Sequence, residues 1–341
     1  MDAVNSCWAW QPETPARLEQ PVWLLRLEGP DARRFLHGQS SQAIELAAPG
    51  SALATCLISP TARMRALAWV LVDAGGVWLV IEAGDPEAVR TGLDRVLFPA
   101  DQVQLGPLQP ALLITPLGDT TLPQAGPGRW EPLPASLPGS AQGDGPGPWM
   151  LEHRLLLAPP TAAHPLAASR LLGPAEHERW RIQQGWPTAP GELNDHTNPF
   201  ELGLAPRVSL SKGCYVGQET LAKLATYDGV KQQLRRWCWQ PPSGFAEQAL
   251  GGEQPLGGQQ PLDAGQTLFN AAGERAGTIT SVLQLPSTAG GRWMGLALVR
   301  RSALDEPRLN AGEQIVLELS LPAAFVAPPS GAGQSAGQSQ T

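Results

Sequence analysis

Lys212-Gly213-Cys214-Tyr215-Val216-Gly217-Gln218-Glu219 gathers an ammonium, a thiol, a phenol, an amide and a carboxylate around two glycines. Glycine lets backbone approach a neighbour closely and take turns that other residues resist. Past the octet, Leu221, Leu224 and Ala225 return at a spacing that suits a short helix. Cys214 is then expected just ahead of a helix start, with Lys212 two positions away. Both features favour the thiolate, the reactive form of cysteine. Among 24 basic residues, lysine occurs three times, at Lys212, Lys223 and Lys231. A chain that otherwise uses arginine keeps a compact, strongly hydrated cation beside this cysteine. Three roles for Cys214 stay open: a small buried hydrophobe, an exposed activated thiol, or a transient metal or cluster ligand completed by a partner.

The octet resembles the signature of the YgfZ-type folate-binding proteins, Lys-Gly-Cys-Tyr/Phe-x-Gly-Gln-Glu. That family is related in fold to the aminomethyltransferase (T protein) of the glycine cleavage system. Two other runs carry the resemblance. One is Leu27 to Gln39, of the form Leu-Glu-Gly-Pro-Asp-Ala-x-x-Phe-Leu-x-Gly-Gln. The other starts at Arg181, continues through Gly185, Pro187, Glu192 and Leu193, and ends in Pro199-Phe200-Glu201-Leu202-Gly203-Leu204. Gly277 to Ser281 matches a strand of the family's C-terminal barrel.

The resemblance implies an α+β, T-protein-like folate-binding body of antiparallel sheets with helices on one face, followed by a small C-terminal β-barrel. It implies a reduced folate, tetrahydrofolate or a substituted form, as cofactor. Arg181 would pair the glutamate tail, as guanidinium pairs carboxylate. Glu192 or Glu201 would accept from pterin nitrogens, and Gln218 and Glu219 would help hold the ligand. Cys214 with Lys212 would form the working thiol site. Iron–sulfur client or assembly proteins would be the partners, with tRNA modification supported indirectly. Plainer local roles compete with these. Arg181 can make an ordinary ion pair, Glu201 can cap local structure, Glu219 can complement a helix dipole, and Tyr215 can pack in the core with its hydroxyl satisfied. Trp149, Trp180 and Trp186 are candidates to stack on a pterin. Two departures stand out. Leu18-Glu19-Gln20-Pro21 lacks the Asp-x-Ser-His stretch of the aminomethyltransferases, and Ser59-Pro60-Thr61-Ala62-Arg63 lacks the glycine of the family turn. A folate-dependent one-carbon transferase is therefore the alternative reading.

Composition bounds the rest. A chain of 341 residues, 42% hydrophobic and 16% charged, supports two or three domains with real cores. A net charge of −7 offers no basic surface for direct nucleic-acid binding. Cys7, Cys56, Cys214 and Cys238 form no C-x-x-C pair, so neither a metal site nor a disulfide framework is expected. No secretory leader or membrane span is read, and cytoplasm is the default. The resemblance, together with composition, implies a flexible N-terminus (1–17), a folate-binding body (18–232), a barrel (233–326) and a disordered tail (327–341). Glycine- and proline-rich insertions are expected at 118–148, as a surface segment burying little, and at 241–265. Separate strands are expected at 102–105 and 111–115, and a single one at 149–157.

Overall fold

A computed structural model describes residues 7–118, 122–138, 140, 146–242, 261–285, 291–312 and 314–329. The body is built on one sheet. Its strands are β1 (Ala16–Glu28), β2 (Ala52–Ile58), β3 (Met64–Val72), β4 (Gly76–Gly84), β5 (Gln104–Leu117), β6 (Trp130–Pro132), β7 (Trp149–Leu151) and β8 (Arg154–Leu157). They lie in the order β2-β3-β4-β1-β5-β8-β7-β6, with the short β9 (Arg170–Leu171) parallel to β1. Successive side chains of β3 point to opposite faces. Ala66, Ala68, Val70 and Val72 meet Phe35 and Leu36 of α1 (Ala32–Gln39) and Val89 and Leu93 of α2 (Pro86–Arg95). Trp69 and Leu71 pack on the other face with Val22, Leu24 and Trp149. Asp85 caps α2 by accepting from the backbone N–H groups of Glu87 and Ala88.

The barrel closes through β10 (Gln232–Trp239), β13 (Arg292–Arg300), β12 (Arg275–Leu285), β11 (Thr267–Phe269), β14 (Arg308–Asn310) and β15 (Val316–Ser320), in that order. Trp237 fills its interior and donates from Nε1 to the Leu296 carbonyl at 3.1 Å. Gly295 makes room for it, because a Cβ there would sit 2.5 Å from the indole. A third core joins barrel to body. It brings Leu234, Met294 and Leu296 against Ile58, Met64 and Leu67, with Ile182 of α3 (Pro174–Gln184) and Leu221 and Ala225 of α4 (Gln218–Thr226). The fold class read from the sequence is the one observed.

Several boundaries differ. The two strands expected at 102–105 and 111–115 are one, β5, despite Pro107 and Pro110. Only Leu112 to Ile114 pair with β8, so Pro107 and Pro110 lie where β5 has a neighbour on the β1 side alone, the setting in which a strand tolerates proline. The strand expected over 149–157 is a hairpin turned at Glu152, whose φ is +55. Of residues 7–17, expected as flexible, several are packed. Cys7 and Trp8 are buried, Trp8 lies under Arg236 and Trp10 under Arg179, and β1 already starts at Ala16. The 118–148 segment buries more than expected, since Ala125 and Leu133 join a small cluster beside Met150. Residues 243–260 of the second insertion and 330–341 of the tail lie outside the described residues.

Candidate functional site

Gly185, at φ +74, ends α3 and turns the chain back toward Arg181. The Arg181 guanidinium is almost fully engaged within the protein. It donates to both Glu178 oxygens at 2.7 Å, to the Trp186 carbonyl at 2.7 Å, to Ser281 Oγ at 2.7 Å and to Glu192 Oε2 at 3.4 Å. Glu192 is completely buried, and its other oxygen accepts from the Ser281 hydroxyl at 2.7 Å. The Thr188 backbone N–H donates to Glu192 Oε2 at 3.1 Å. Ser281 belongs to β12, so this network fastens the body to the barrel. The glutamate-tail role implied for Arg181 and the pterin role implied for Glu192 do not match this geometry, because their polar valences are met internally.

Beside Arg181 lies a cavity of about 280 Å³ lined by Gln20, Glu82, Trp180, Trp186 and Thr188. Buried Glu82 pairs with Arg154 at 3.1 Å and Arg207 at 2.9 Å, and both guanidinium groups stack on Trp69. Trp186 Nε1 has no partner among the described residues. Trp149, the third stacking candidate, instead packs edge-on against Trp130 in the sheet core.

The octet is a loop clipped to the end of α1. Lys212 Nζ donates to the carbonyls of Ser40 at 2.7 Å, Gln42 at 2.8 Å and His37, and sits 4.4 Å from the Tyr215 ring centre. Burial pulls its pKa down to about 7. The three acceptors oppose that pull, because an ammonium has three donors to offer them. Lys212 is therefore a clip and not the counter-ion expected for the thiol. Tyr215 is buried as expected, but its hydroxyl has no partner among the described residues, and desolvation raises its pKa to about 12. Cys214 is exposed, four residues ahead of α4 rather than at its start, whereas Cys7, Cys56 and Cys238 are buried. Gln218 Nε2 reaches back to the Lys212 carbonyl at 3.5 Å, and Glu219 is exposed in the first turn of α4. Neither lines a described cavity.

Gly217, at φ +81, connects this loop to a cleft. A Cβ there would lie 2.7 Å from the Ser59 carbonyl and 3.3 Å from Ala62. The 59–63 turn forms without the family glycine, because Ala62 itself takes the left-handed conformation at φ +59. Ser59 Oγ accepts from the Arg63 N–H at 3.0 Å. Arg63 then lines a cleft of about 530 Å³ with Glu201, Lys231, Gln232, Arg300 and Arg301. At its wall Glu201 is 4% exposed and accepts from the Asn198 N–H at 3.0 Å. Burial raises its carboxyl pKa, partly offset by that bond and by Gln232. Arg301 is paired with Asp228, but Arg300 makes no ion pair among the described residues. Of the candidates for ligand binding, Glu201 alone combines burial with an open cationic cleft.

Sequence reading missed Lys231 and Arg300 because a cation at a strand end carries no pattern until the fold gathers its neighbours. His37 was missed as well. Its Nδ1 accepts from the N–H groups of Ile44 and Glu45, both at 3.2 Å, so in the neutral ring the proton sits on Nε2. That nitrogen lies 3.9 Å from where a Cβ on Gly213 would be. Burial and the Lys212 charge lower its pKa. The motif Leu-x-Gly-Gln gave no hint of this, since His37 occupies its variable position.

A body built on one nine-stranded sheet, followed by a closed six-stranded barrel, defines a protein of the T-protein fold. Over 94% of this chain and 88% of the other, the structure superimposes on the glycine cleavage system aminomethyltransferase T from Bartonella henselae with a TM-score of 0.66 at 18% identity. That likeness is one of fold. Residues 254–326 match the family model of the CAF17 C-terminal beta-barrel domain. The chain is 30% identical over 227 residues to the putative transferase At1g60990, chloroplastic, of Arabidopsis thaliana, covering 62% of this chain and 52% of that protein. It is 29% identical over 236 residues to the mitochondrial iron–sulfur cluster assembly factor IBA57 of Mus musculus, covering 62% of each. The matching region thus spans about half to three-fifths of these relatives. The barrel match and the two relatives support a relation to the YgfZ-type proteins, with a CAF17-type barrel match on a T-protein fold. Among the described residues no helix is long and apolar enough to cross a membrane.

Proposed function

We propose that this protein binds a reduced folate in the Glu201 cleft and serves as an accessory factor in assembly or repair of iron–sulfur proteins, with Cys214 as the working thiol. Support for tRNA modification is then indirect, through iron–sulfur enzymes, and the proposed compartment is the cytoplasm, although the two named relatives are organellar. The observation that carries this reading is the exposure of Cys214 on a loop that Lys212 clips to three carbonyls. A thiol serving another protein's cluster must be reachable and held in place, and here both conditions are met.

The cleft suits the cofactor chemically. At about 530 Å³ it has the size of a small-molecule site. Glu201 supplies an acceptor for the pterin's ring N–H and amino groups. Lys231 and Arg300 supply cations for the glutamate carboxylates. A bound reduced folate would contribute one-carbon or reducing chemistry. The side chains of this chain orient it and neutralise its charge. Because Gly217 packs on the turn that carries Arg63, ligand in the cleft and the Cys214 loop share one support.

Calorimetric titration with tetrahydrofolate tests the cofactor. Binding is expected for the wild type and is expected to fall for Glu201→Ala. Equal heats from both would remove Glu201 from the site. In cells, Cys214→Ser is expected to lower iron–sulfur enzyme activity without loss of the folded protein, and wild-type activity in that strain would reject the thiol role. The T-protein fold and the transferase name of the plant relative favour a second reading, a one-carbon transferase. Folate-dependent turnover of an amine by the purified protein would establish it, and the missing Asp-x-Ser-His stretch argues for no turnover.

A further inference from the structure

We propose that Cys7 and Cys238 form a reversible dithiol–disulfide pair, a modification site separate from Cys214. The two residues are far apart in sequence. Cys7 lies in the amino-terminal segment, and Cys238 is on β10, opposite Met294 and Glu318. They meet in the core that joins body to barrel, and together they line a cavity of about 290 Å³ with Gln240, Arg292 and Glu318. The cavity admits a small oxidant to two thiols that are otherwise 1% and 5% exposed.

The surroundings sort the two sulfurs into nucleophile and resolving thiol. A hydrogen bond from Cys238 and the guanidinium groups of Arg292 and Arg179 pull the Cys7 thiol below its usual range. The Cys7 sulfur and burial push Cys238 up, as does the nearby Glu318. Arg236 adds a third positive charge facing both sulfurs. Two thiols without a third ligand suit redox chemistry better than a metal, and among the described residues no cluster of ligating side chains forms.

With hydrogen peroxide as oxidant the electrons balance. The Cys7 thiolate attacks one peroxide oxygen, the O–O bond breaks, and the departing hydroxide takes a proton to become water. The Cys7 sulfenic acid is then attacked by Cys238 sulfur. The S–O bond breaks, and the second hydroxide leaves as water with the Cys238 proton. The two thiols lose two electrons and peroxide gains them. The new bond would fasten the segment holding Trp8 and Trp10 to the barrel. That segment already crosses α3, where Gln183 Nε2 donates to the Trp10 carbonyl at 3.1 Å.

The test uses the full chain, treated with stoichiometric hydrogen peroxide and mapped by non-reducing peptide mass spectrometry. A Cys7–Cys238 linked peptide is expected, reversed by dithiothreitol, retained in Cys214→Ser and lost in Cys7→Ala and Cys238→Ala. Recovery of Cys7 and Cys238 unlinked, as thiols or sulfinic acids, in a wild-type chain with native circular dichroism would overturn the proposal. So would a dominant disulfide involving Cys214. Because Cys214→Ser replaces an exposed residue, it keeps the test valid if the buried variants fold poorly.

Discussion

Arg181 and Glu201 both belong to the run that resembles the folate-binding proteins, and both are buried, yet their surroundings differ in kind. Around Arg181 the polar groups answer one another, with Glu178, Glu192, Ser281 and the Trp186 carbonyl meeting the guanidinium. Around Glu201 the cations stand across an open cleft. A closed network holds two parts of a fold in register, and an incomplete one has valence left for a ligand. The same residue types at similar depth therefore divide into joint and site according to what remains unmet.

The largest expected effect breaks the closed side. Arg181→Met leaves the buried Glu192 carboxylate without its cation, and loss of one member of a buried pair costs about 3–5 kcal/mol. Chemical denaturation should show a loss of that size, with folate affinity falling only as far as the folded fraction does. A selective loss of affinity at unchanged stability would move Arg181 to the ligand side. Next comes the clip. Lys212→Met strips the donor from three carbonyls and should destabilise by about 2–4 kcal/mol. Lys212→Arg should restore little, because a planar fork does not match three acceptors gathered round one nitrogen. Full rescue by arginine would show that charge alone is needed.

The open side should respond oppositely. Replacing Lys231 and Arg300 together by alanine removes two cations facing the cleft and should weaken reduced-folate binding by about 10–100-fold. The melting temperature should not move. A drop in stability with unchanged affinity would reverse the assignment of joint and site. Glu201 adds a pH signature. Its folded pKa is raised, chiefly by burial, so the folded state holds the proton more tightly than the unfolded chain. Its contribution is present in full below the unfolded value of about 4.3 and is lost as pH rises through the folded pKa. Glu201→Gln should therefore stabilise the protein at pH 7 relative to wild type, and that advantage should shrink on acidification. An advantage independent of pH would exclude titration as its cause.

Much of the fold was legible because period and punctuation were clean. Asp85-Pro86 announced α2, Gly185 ended α3, and the apolar run from Arg65 to Asp73 read as a strand. The barrel's three-residue strands, β11 and β14, were not legible, since so short a segment has no period to detect. In the site, the octet drew attention to Cys214, but not to the bonds Lys212 makes at the end of α1. Contacts between residues roughly 170 positions apart leave no mark on local sequence. Likewise, satisfaction of Arg181 depends on Ser281, 100 residues away, and only the assembled seam reveals it.

The smallest expected effect concerns the turn between the octet and the cleft. Ala62 occupies the left-handed region, at the position where the sequence resemblance implies glycine, and its methyl group is fully buried. Ala62→Gly relieves a strain of about 1–2 kcal/mol. It gives up a buried methyl worth about 0.8 kcal/mol and loosens the unfolded chain by about 0.4–1 kcal/mol. These terms nearly cancel, so unfolding free energies from urea titration should agree to within about 0.5 kcal/mol, and folate affinity should be unchanged. If affinity fell while stability held, rigidity at position 62 would be aiming Arg63 into the cleft, and the turn would belong to the site. If stability rose while affinity held, the alanine would be a strained remnant, and the turn would belong with the joint.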